Sequence, residues 1–206
     1  MSENKNHWYD GWFYDRFIAP NQDDLFDQII DIIDLGSSII DVGCGTGRFS
    51  FAVSGKCKSV LGIDLSKRNI DQSQLNLSKQ PNEKVNFEHT SLNGLMSKKR
   101  HFDYALITFV IHEIAENERI ELLYQLSAIA DTIIIGDYLV PRPDNFKGFL
   151  SRAIEFAAGK DHYRNFRNYV ANGGIPYLVD KSGLSIVDEI KNHGSLNHIV
   201  KLKKQI

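Results

Sequence analysis

The chain has 206 residues, 42% of them hydrophobic and 24% charged, so it can bury a full core and is neither disordered nor fibrous in composition. Its 24 Lys and Arg residues against 26 Asp and Glu residues give a net charge of −2, which argues against a dedicated nucleic-acid binder. The two cysteines, Cys44 and Cys57, are too few and too far apart for a disulfide framework or a cysteine zinc site.

Short β-branched runs alternate with longer amphipathic stretches over the first two thirds of the chain. The pattern predicts helices over 21–35, 67–79 and 116–130, and strands over 38–42, 59–63, 85–89, 102–109 and 132–139. A further helix is expected directly after a glycine-rich turn at 43–47. Strands separated by helices of this length form a parallel sheet that is covered on both faces.

The rhythm changes after Pro141. Helices are predicted over 146–158, 161–171 and 177–182, followed by strands over 184–190 and 196–203. The link between these two strands is so short that it permits only an antiparallel pair. The sequence therefore predicts an α/β fold with a seven-stranded, mostly parallel sheet whose last strand is antiparallel.

The strongest motif is the turn after the first predicted strand, with the sequence DVGCGTG over residues 41–47. Alternate glycines allow positive φ angles and let a ligand approach the backbone without meeting a Cβ. The following helix offers free N–H groups to a ligand carboxylate or other anion. The second strand ends at Asp64, 21 residues after Gly43, where a carboxylate suits the two hydroxyls of a ribose.

Two ligand classes use this layout. The dinucleotide fingerprint requires a small residue at position 48, which is occupied by Arg48. The motif instead reads G-x-G-x-G after an acidic residue, and the second strand ends in GIDLS over residues 62–66. Both motifs and the seven-strand pattern resemble the class I S-adenosylmethionine-dependent methyltransferases, including small microbial members. The resemblance covers nearly the whole chain and implies a Rossmann-like sheet, methyltransferase activity and S-adenosylmethionine as cofactor.

The resemblance also implies a cofactor site at the glycine turn and the ends of the neighbouring strands. The residues of this implied site are Asp41, Gly43, Cys44, Gly45, Gly47, Asp64, Leu65, Ser91, Leu92 and Thr108. The turn would line the methionine and ribose portions, Asp64 would bind the ribose hydroxyls, and Leu65 would pack on the adenine. Ser91 stands where the family commonly has Asp, so its bond to the adenine amine would lack charge assistance. Thr108 would lie beside the sulfonium.

Methyl transfer from a sulfonium is a direct displacement, to which alignment can contribute about 7–11 kcal/mol. It requires no metal in principle, and the sequence has no H-x-x-x-H or H-E-x-x-H cluster, so no metal is predicted. His112, just past the fourth strand, is a candidate base for the acceptor's proton, or a structural residue that orders its loop. Asp137, after the fifth strand, either orients the acceptor or caps the next segment. His162, Phe166 and Tyr169 share one face of a predicted helix.

We expect one methyltransferase domain over residues 1–206, with an aromatic N-terminal lid at 1–20 and a helical cap at 141–182. The acceptor is expected to be a small, partly apolar molecule, because apolar side chains crowd the cap. An NAD(P)-dependent oxidoreductase and a non-catalytic, nucleoside-binding regulatory module remain as alternatives. The longest uncharged apolar run, residues 104–111, is too short to span a bilayer, and residues 1–16 do not resemble a signal peptide. We therefore expect a cytosolic protein with neither membrane nor nucleic acid as partner.

Overall fold

The computed structural model describes residues 23–141, 159–194 and 196–205. The helices are α1 (Asp23–Asp31), α2 (Arg48–Val53), α3 (Lys67–Lys79), α4 (Leu92–Met96), α5 (Glu116–Ile129), α6 (Lys160–Ala171) and α7 (Ile175–Ser182). The strands are β1 (Ser38–Val42), β2 (Ser59–Asp64), β3 (Val85–His89), β4 (Phe102–Thr108), β5 (Ala130–Tyr138), β6 (Leu184–Asn192) and β7 (Asn197–Lys204). A 3-10 turn, Ile111–Glu113, follows β4.

All seven strands form one sheet in the order β3-β2-β1-β4-β5-β7-β6. All pairings among the first five strands, β1 to β5, are parallel, and β7 is antiparallel to both of its neighbours. The predicted Rossmann-like sheet with a reversed last strand is confirmed. The strand order changes direction between β1 and β4, and in open parallel sheets ligands bind at the carboxyl ends of the strands on either side of such a point.

Two apolar layers lie on opposite faces of the sheet, because neighbouring residues of a strand point to opposite sides. In β1, Ile39 contributes to the layer that contains α1, α2 and α3, whereas Ile40 contributes to the layer that contains α4, α5 and α7. Both side chains are fully buried. Burying an aliphatic side chain of this size contributes about 1.5–3 kcal/mol to folding. The two layers therefore fix the sheet from both sides and hold the carboxyl ends of the strands in place.

Most element boundaries agree with the sequence prediction to within two residues, and two larger differences occur among the described α-helices. The helix predicted over 21–35 ends at Asp31 in the structure, before a turn in which Gly36 has a φ of 79°. The short helix α4 has no counterpart in the prediction, because five residues are too few to show a helical period. Ser91 caps α4, and its hydroxyl accepts a hydrogen bond from the N–H of Gly94 at 3.3 Å.

The first residue of α1 is anchored next to the glycine turn. Asp23 forms an ion pair with Arg48, the first residue of α2, and the Arg48 guanidinium lies over the ring of Phe26. Arg48 thus connects the start of α2 with the start of α1, at the edge of the sheet where the carboxyl ends of β1 and β2 lie.

The proposed lid at residues 1–20 and the helix predicted over 146–158 lie outside the described residues. Within the predicted cap, the structure describes α6, which packs on the turn Ile111–Glu113, and α7, which packs on α5. The division into lid, core and cap stays a prediction. Among the described residues, no helix has the length and apolar character needed to cross a membrane. The cytosolic location also stays a prediction.

Candidate functional site

The glycine turn folds back against the end of β2. The N–H groups of Gly43 and Cys44 both donate to the carbonyl oxygen of Ile63, at 2.8 and 3.0 Å. Gly43, Gly45 and Gly47 have φ angles of 74°, 56° and 86°, a region that side-chain-bearing residues rarely adopt. The backbone of the turn therefore requires all three glycines of the motif.

The surroundings of the three glycines differ, and the difference locates the ligand side of the turn. A Cβ at Gly43 would approach a Val110 methyl to 2.5 Å, and one at Gly47 would approach the Phe87 ring to 2.3 Å. A Cβ at Gly45 would meet no atom of the described residues within 4 Å. Gly43 and Gly47 are therefore needed for packing inside the protein, whereas Gly45 faces a space in which a ligand can contact the backbone directly.

Asp64 joins the second motif to the turn. Its Oδ2 accepts the N–H of Gly45 at 2.9 Å, and its Oδ1 accepts the N–H of Ser66 at 2.7 Å. The amide of Asn69 also reaches Oδ2, at 3.3 Å. A carboxylate has about four acceptor sites, so one aspartate can bind several donors at the same time. The structure thus places Asp64 beside Gly45, as the sequence motifs predict, while its contact with ribose stays a prediction.

Asp41 lies beneath the turn. It is 1% exposed and accepts a hydrogen bond from the Ser50 hydroxyl at 2.6 Å. Burial raises the pKa of Asp41 to about 7; the Ser50 bond opposes this rise and the charge of Asp64 adds to it. Cys44 is also buried, and burial raises the pKa of its thiol well above the usual range. These two residues support the turn from inside, and their contact with the cofactor stays a prediction.

The three residues expected near the adenine have different surroundings. Ser91 caps α4 with its hydroxyl, and Leu92 is 5% exposed within the apolar layer that contains α5. Leu65 is half-buried, and its carbonyl oxygen accepts a hydrogen bond from His89 Nε2 at 3.0 Å. Their contact with an adenine stays a prediction.

The segment after β4 forms the other side of the crevice. Thr108, the last residue of β4, pairs with Gly136 of β5 and is half-buried. Phe109 has a φ of 54° and donates its N–H to the Gly136 carbonyl at 2.7 Å. Val110 then reaches back to Gly43, so the glycine turn and the post-β4 segment are in direct contact.

The structure brings His112 and Asp137 together at the carboxyl ends of β4 and β5. The Nδ1 atom of His112 lies 2.7 Å from Asp137 Oδ1, and the backbone N–H of His112 donates to Oδ2 at 3.3 Å. His112 is 2% exposed and Asp137 is fully buried. Since a carboxylate accepts hydrogen bonds, Nδ1 carries the hydrogen, and Nε2 has the lone pair in the neutral ring. The pair thus fixes both the position and the tautomer of the imidazole.

Two further ionisable groups lie next to this imidazole. Glu113 Oε1 is 4.0 Å from His112 Nε2 and 3.8 Å from Nδ1 of His162, which lies on α6. Aromatic rings surround His112, with ring-centre distances of 4.8 Å to Tyr138 and 6.0 Å to Phe166. The sequence places His162 and Phe166 on one helix face, but it gives no sign that this face meets His112.

Arg119 is a residue that the sequence prediction misses. It is 1% exposed, and its guanidinium donates to the carbonyl oxygens of Ile111 and Ile114 at 3.2 and 3.0 Å. It also donates to the Asn165 carbonyl and the Asn168 side chain on α6, at 2.7 and 2.9 Å. The sequence signal that could have indicated its burial is its position four residues before Leu123, on the buried stripe of α5. Arg119 fixes the turn that carries His112 to the helix that carries His162.

Residues 39–131 match a family model described as a methyltransferase domain. An uncharacterized RNA methyltransferase of Mycoplasma mobile is 27% identical over 141 residues, which are 68% of this chain and 38% of that protein. A ubiquinone biosynthesis O-methyltransferase of Dinoroseobacter shibae is 27% identical over 162 residues, 75% of this chain and 62% of that protein. The chain thus spans less than two thirds of the length of these relatives.

The fold agrees with these matches. A crystal structure of magnesium protoporphyrin IX methyltransferase from Synechocystis PCC 6803, with bound S-adenosylhomocysteine, superposes with a TM-score of 0.65 at 17% identity. The superposition covers 91% of this chain and 85% of that one. Residues 39–131 are therefore similar to a methyltransferase domain, and the sheet order and the two motifs agree with that similarity.

Proposed function

We propose that this protein transfers a methyl group from S-adenosylmethionine to a small, partly apolar acceptor. The observation that carries the proposal is the arrangement around Gly45, whose backbone faces open space and whose N–H is held by Asp64. This arrangement lies where the strand order changes direction, the usual ligand position in open parallel sheets.

The residues at the turn fit the cofactor. Gly45 lets the ligand approach the backbone closely, and Asp64 places beside it a carboxylate, the group that suits the hydroxyls of a ribose. The cofactor supplies an activated methyl group on a sulfonium, and the protein holds that group in line with the acceptor. Thr108 and Val110, on the opposite side of the crevice, are expected to lie beside the methyl group.

We assign the acceptor side of the crevice to His112 and Asp137. Asp137 is a positioning residue that keeps the imidazole in one orientation, and His112 activates the acceptor through Nε2. Holding acceptor and methyl donor in the reacting geometry can contribute about 7–11 kcal/mol, so orientation is the main catalytic requirement.

The surroundings of His112 favour a small acceptor over RNA. Among the described residues, its near neighbours are the rings of Tyr138, His162, Phe166 and Tyr169 and the carboxyl groups of Asp137 and Glu113. Aromatic walls suit an apolar ring or chain, whereas a phosphodiester backbone requires an accessible set of basic side chains. Because the Mycoplasma mobile relative is named an RNA methyltransferase, RNA is the alternative acceptor class that the experiment must test.

The experiment has two stages. S-adenosylhomocysteine binding is first measured by calorimetry on the full chain, with NAD(H) as the comparison ligand. Methyl-labelled S-adenosylmethionine is then incubated with the protein and either a small-molecule metabolite extract or total RNA from the same cells. Label transfer into the small-molecule fraction is the expected result. Label in RNA, or binding of NAD(H) in place of S-adenosylhomocysteine, would overturn the proposal.

A further inference from the structure

His112, Glu113 and His162 form the only cluster of three potential metal-ligating side chains within the described ranges. One ligand atom from each, a ring nitrogen or a carboxylate oxygen, lies within 4.8 Å of the other two. The two histidines are buried and Glu113 is half-buried, so the cluster is not a surface group of charges. We propose that these three residues bind one divalent transition-metal cation.

The donor types favour that class of cation. Two imidazole nitrogens and one carboxylate oxygen are ligands of zinc and of non-haem iron sites, which keep further positions open for water or substrate. Calcium and magnesium prefer ligand sets made of oxygen atoms, so they fit two imidazoles poorly. Metal–nitrogen bonds of about 2.0–2.1 Å place neighbouring donor atoms roughly 3.3 Å apart in a tetrahedral site. The separations of Glu113 from the two histidines are 3.8 and 4.0 Å, and all three ligand atoms lie within 4.8 Å of one another. Side-chain shifts of about 1.5 Å or less would therefore bring the donors to the tetrahedral spacing.

The orientation of His112 is the second argument. Metal-bound histidines usually donate their other ring N–H to a carboxylate or a carbonyl oxygen, which fixes the ring and its tautomer. Asp137 accepts the Nδ1–H of His112 at 2.7 Å and thereby directs Nε2 towards Glu113. Asp137 is therefore assigned as the positioning residue of the cation site.

The third argument is that the ligands are preorganised, although they come from two elements 49 residues apart. The side-chain amide of Asn165, on α6, donates to the Glu113 carbonyl at 2.7 Å. Arg119 donates to the carbonyls of both His112 and Asn165, at 3.5 and 2.7 Å. The buried polar groups hold the turn and α6 together, so little reorganisation is needed on cation binding.

With the cation bound, the Nε2 lone pair of His112 is a metal ligand and is not available as a base, so the cation activates the acceptor in its place; this step alone rests on the proposed function. A cation held by these residues lies at the carboxyl end of β4, on the acceptor side of the crevice. A bound divalent cation polarises an oxygen atom and lowers the pKa of a coordinated hydroxyl. The acceptor class that follows is an oxygen-bearing molecule that binds the cation through that oxygen.

The test uses the full chain without an affinity tag, stripped of metal by dialysis against a chelator. Co²⁺ is titrated in, the visible absorption of the cobalt–imidazole site is followed, and Zn²⁺ is then added as competitor. We expect saturation at a single equivalent, displacement by Zn²⁺, and a rise in the thermal midpoint with either cation. Glu113→Gln and His162→Ala are expected to lose the absorption band. Asp137→Asn is expected to weaken binding by roughly 10- to 100-fold, as positioning carboxylates do.

The chain provides a matched control. His101 and Asp131 form a second histidine–aspartate pair, 2.8 Å apart and exposed, at the amino ends of β4 and β5. His101→Ala should leave the Co²⁺ titration unchanged. The proposal fails if the wild type shows no saturable band, or if Glu113→Gln and His162→Ala retain it while folded by circular dichroism. Asp64→Ala separates the two proposals, because it should lose S-adenosylhomocysteine affinity and keep the cobalt band.

Discussion

The carboxylate of Asp64 accepts the backbone N–H of Gly45 at 2.9 Å, so the ends of β1 and β2 are joined at the one glycine of the turn that faces open space. Two motifs that lie 19 residues apart in the chain thus form one surface. Binding of a nucleoside at this surface should depend on both residues, but for different reasons.

Replacing Asp64 with Ala should weaken S-adenosylhomocysteine binding by roughly 10- to 150-fold, since bonds to a charged acceptor contribute about 1.5–3 kcal/mol. Calorimetric titration of the folded variant measures the loss. Asp71→Ala is the matched control, because Asp71 lies on α3 as an exposed partner of Lys67. An equal dissociation constant in all three proteins would remove Asp64 from the cofactor site.

Gly45→Val and Gly47→Ala should impair the protein in different ways. Gly45→Val places a branched side chain in the open space and requires an unfavourable φ, so it should abolish cofactor binding at a modest cost in stability. Gly47→Ala should destabilise the fold itself, because its Cβ would overlap the Phe87 ring. Thermal unfolding and ligand titration of both variants distinguish these effects. Gly55→Ala, with no atom near its Cβ and an ordinary φ, is the control.

The buried carboxyl of Asp41 predicts a pH effect on stability. Burial raises its folded-state pKa from 3.8 to about 7, so the folded protein binds a proton that the unfolded chain has released. This stabilisation is complete below the unfolded pKa and is lost as the pH rises through about 7. Asp41→Asn lacks the charged form, so its unfolding free energy relative to wild type should rise between pH 5 and pH 8.5, by an amount on the order of 2–4 kcal/mol. Urea unfolding at both pH values measures the difference, and a pH-independent difference contradicts the prediction.

Arg119→Met should lower the free energy of unfolding by roughly 2–4 kcal/mol, because buried carbonyl groups lose their donor. Chemical denaturation gives the value. The control, Arg100→Met, removes an exposed partner of Glu88 and should change stability by less than about 1 kcal/mol. Equal effects of the two substitutions would show that the Arg119 network does not stabilise the fold.

The sheet, the glycine turn and Asp64 are predictable from sequence because their signals are local. A β-branched run, a G-x-G-x-G turn and an acidic residue at a strand end each lie within a few neighbouring positions. His112 and Asp137 are predictable as separate candidates, since each lies near the carboxyl end of a strand of the parallel sheet. Their hydrogen bond is not predictable, because it depends on how β4 and β5 align.

The contacts between α6 and the turn after β4 are the least predictable part of the site. Glu113 and His162 are 49 residues apart in sequence, and no short motif connects them. The burial of Arg119 is equally hard to predict from sequence, because charged residues are rarely buried without several partners. Its partners come from two segments of the chain that are far from each other in sequence. Only the packed structure shows that these residues form one group.

The ion pair of Asp23 with Arg48 holds the first described residue of the chain beside the glycine turn. Both tryptophans of the protein, Trp8 and Trp12, precede Asp23 in the sequence, by 15 and 11 residues. All tryptophan emission therefore comes from the segment that is joined to this point of the chain. A change in emission on adding S-adenosylhomocysteine would report on that segment without any introduced label.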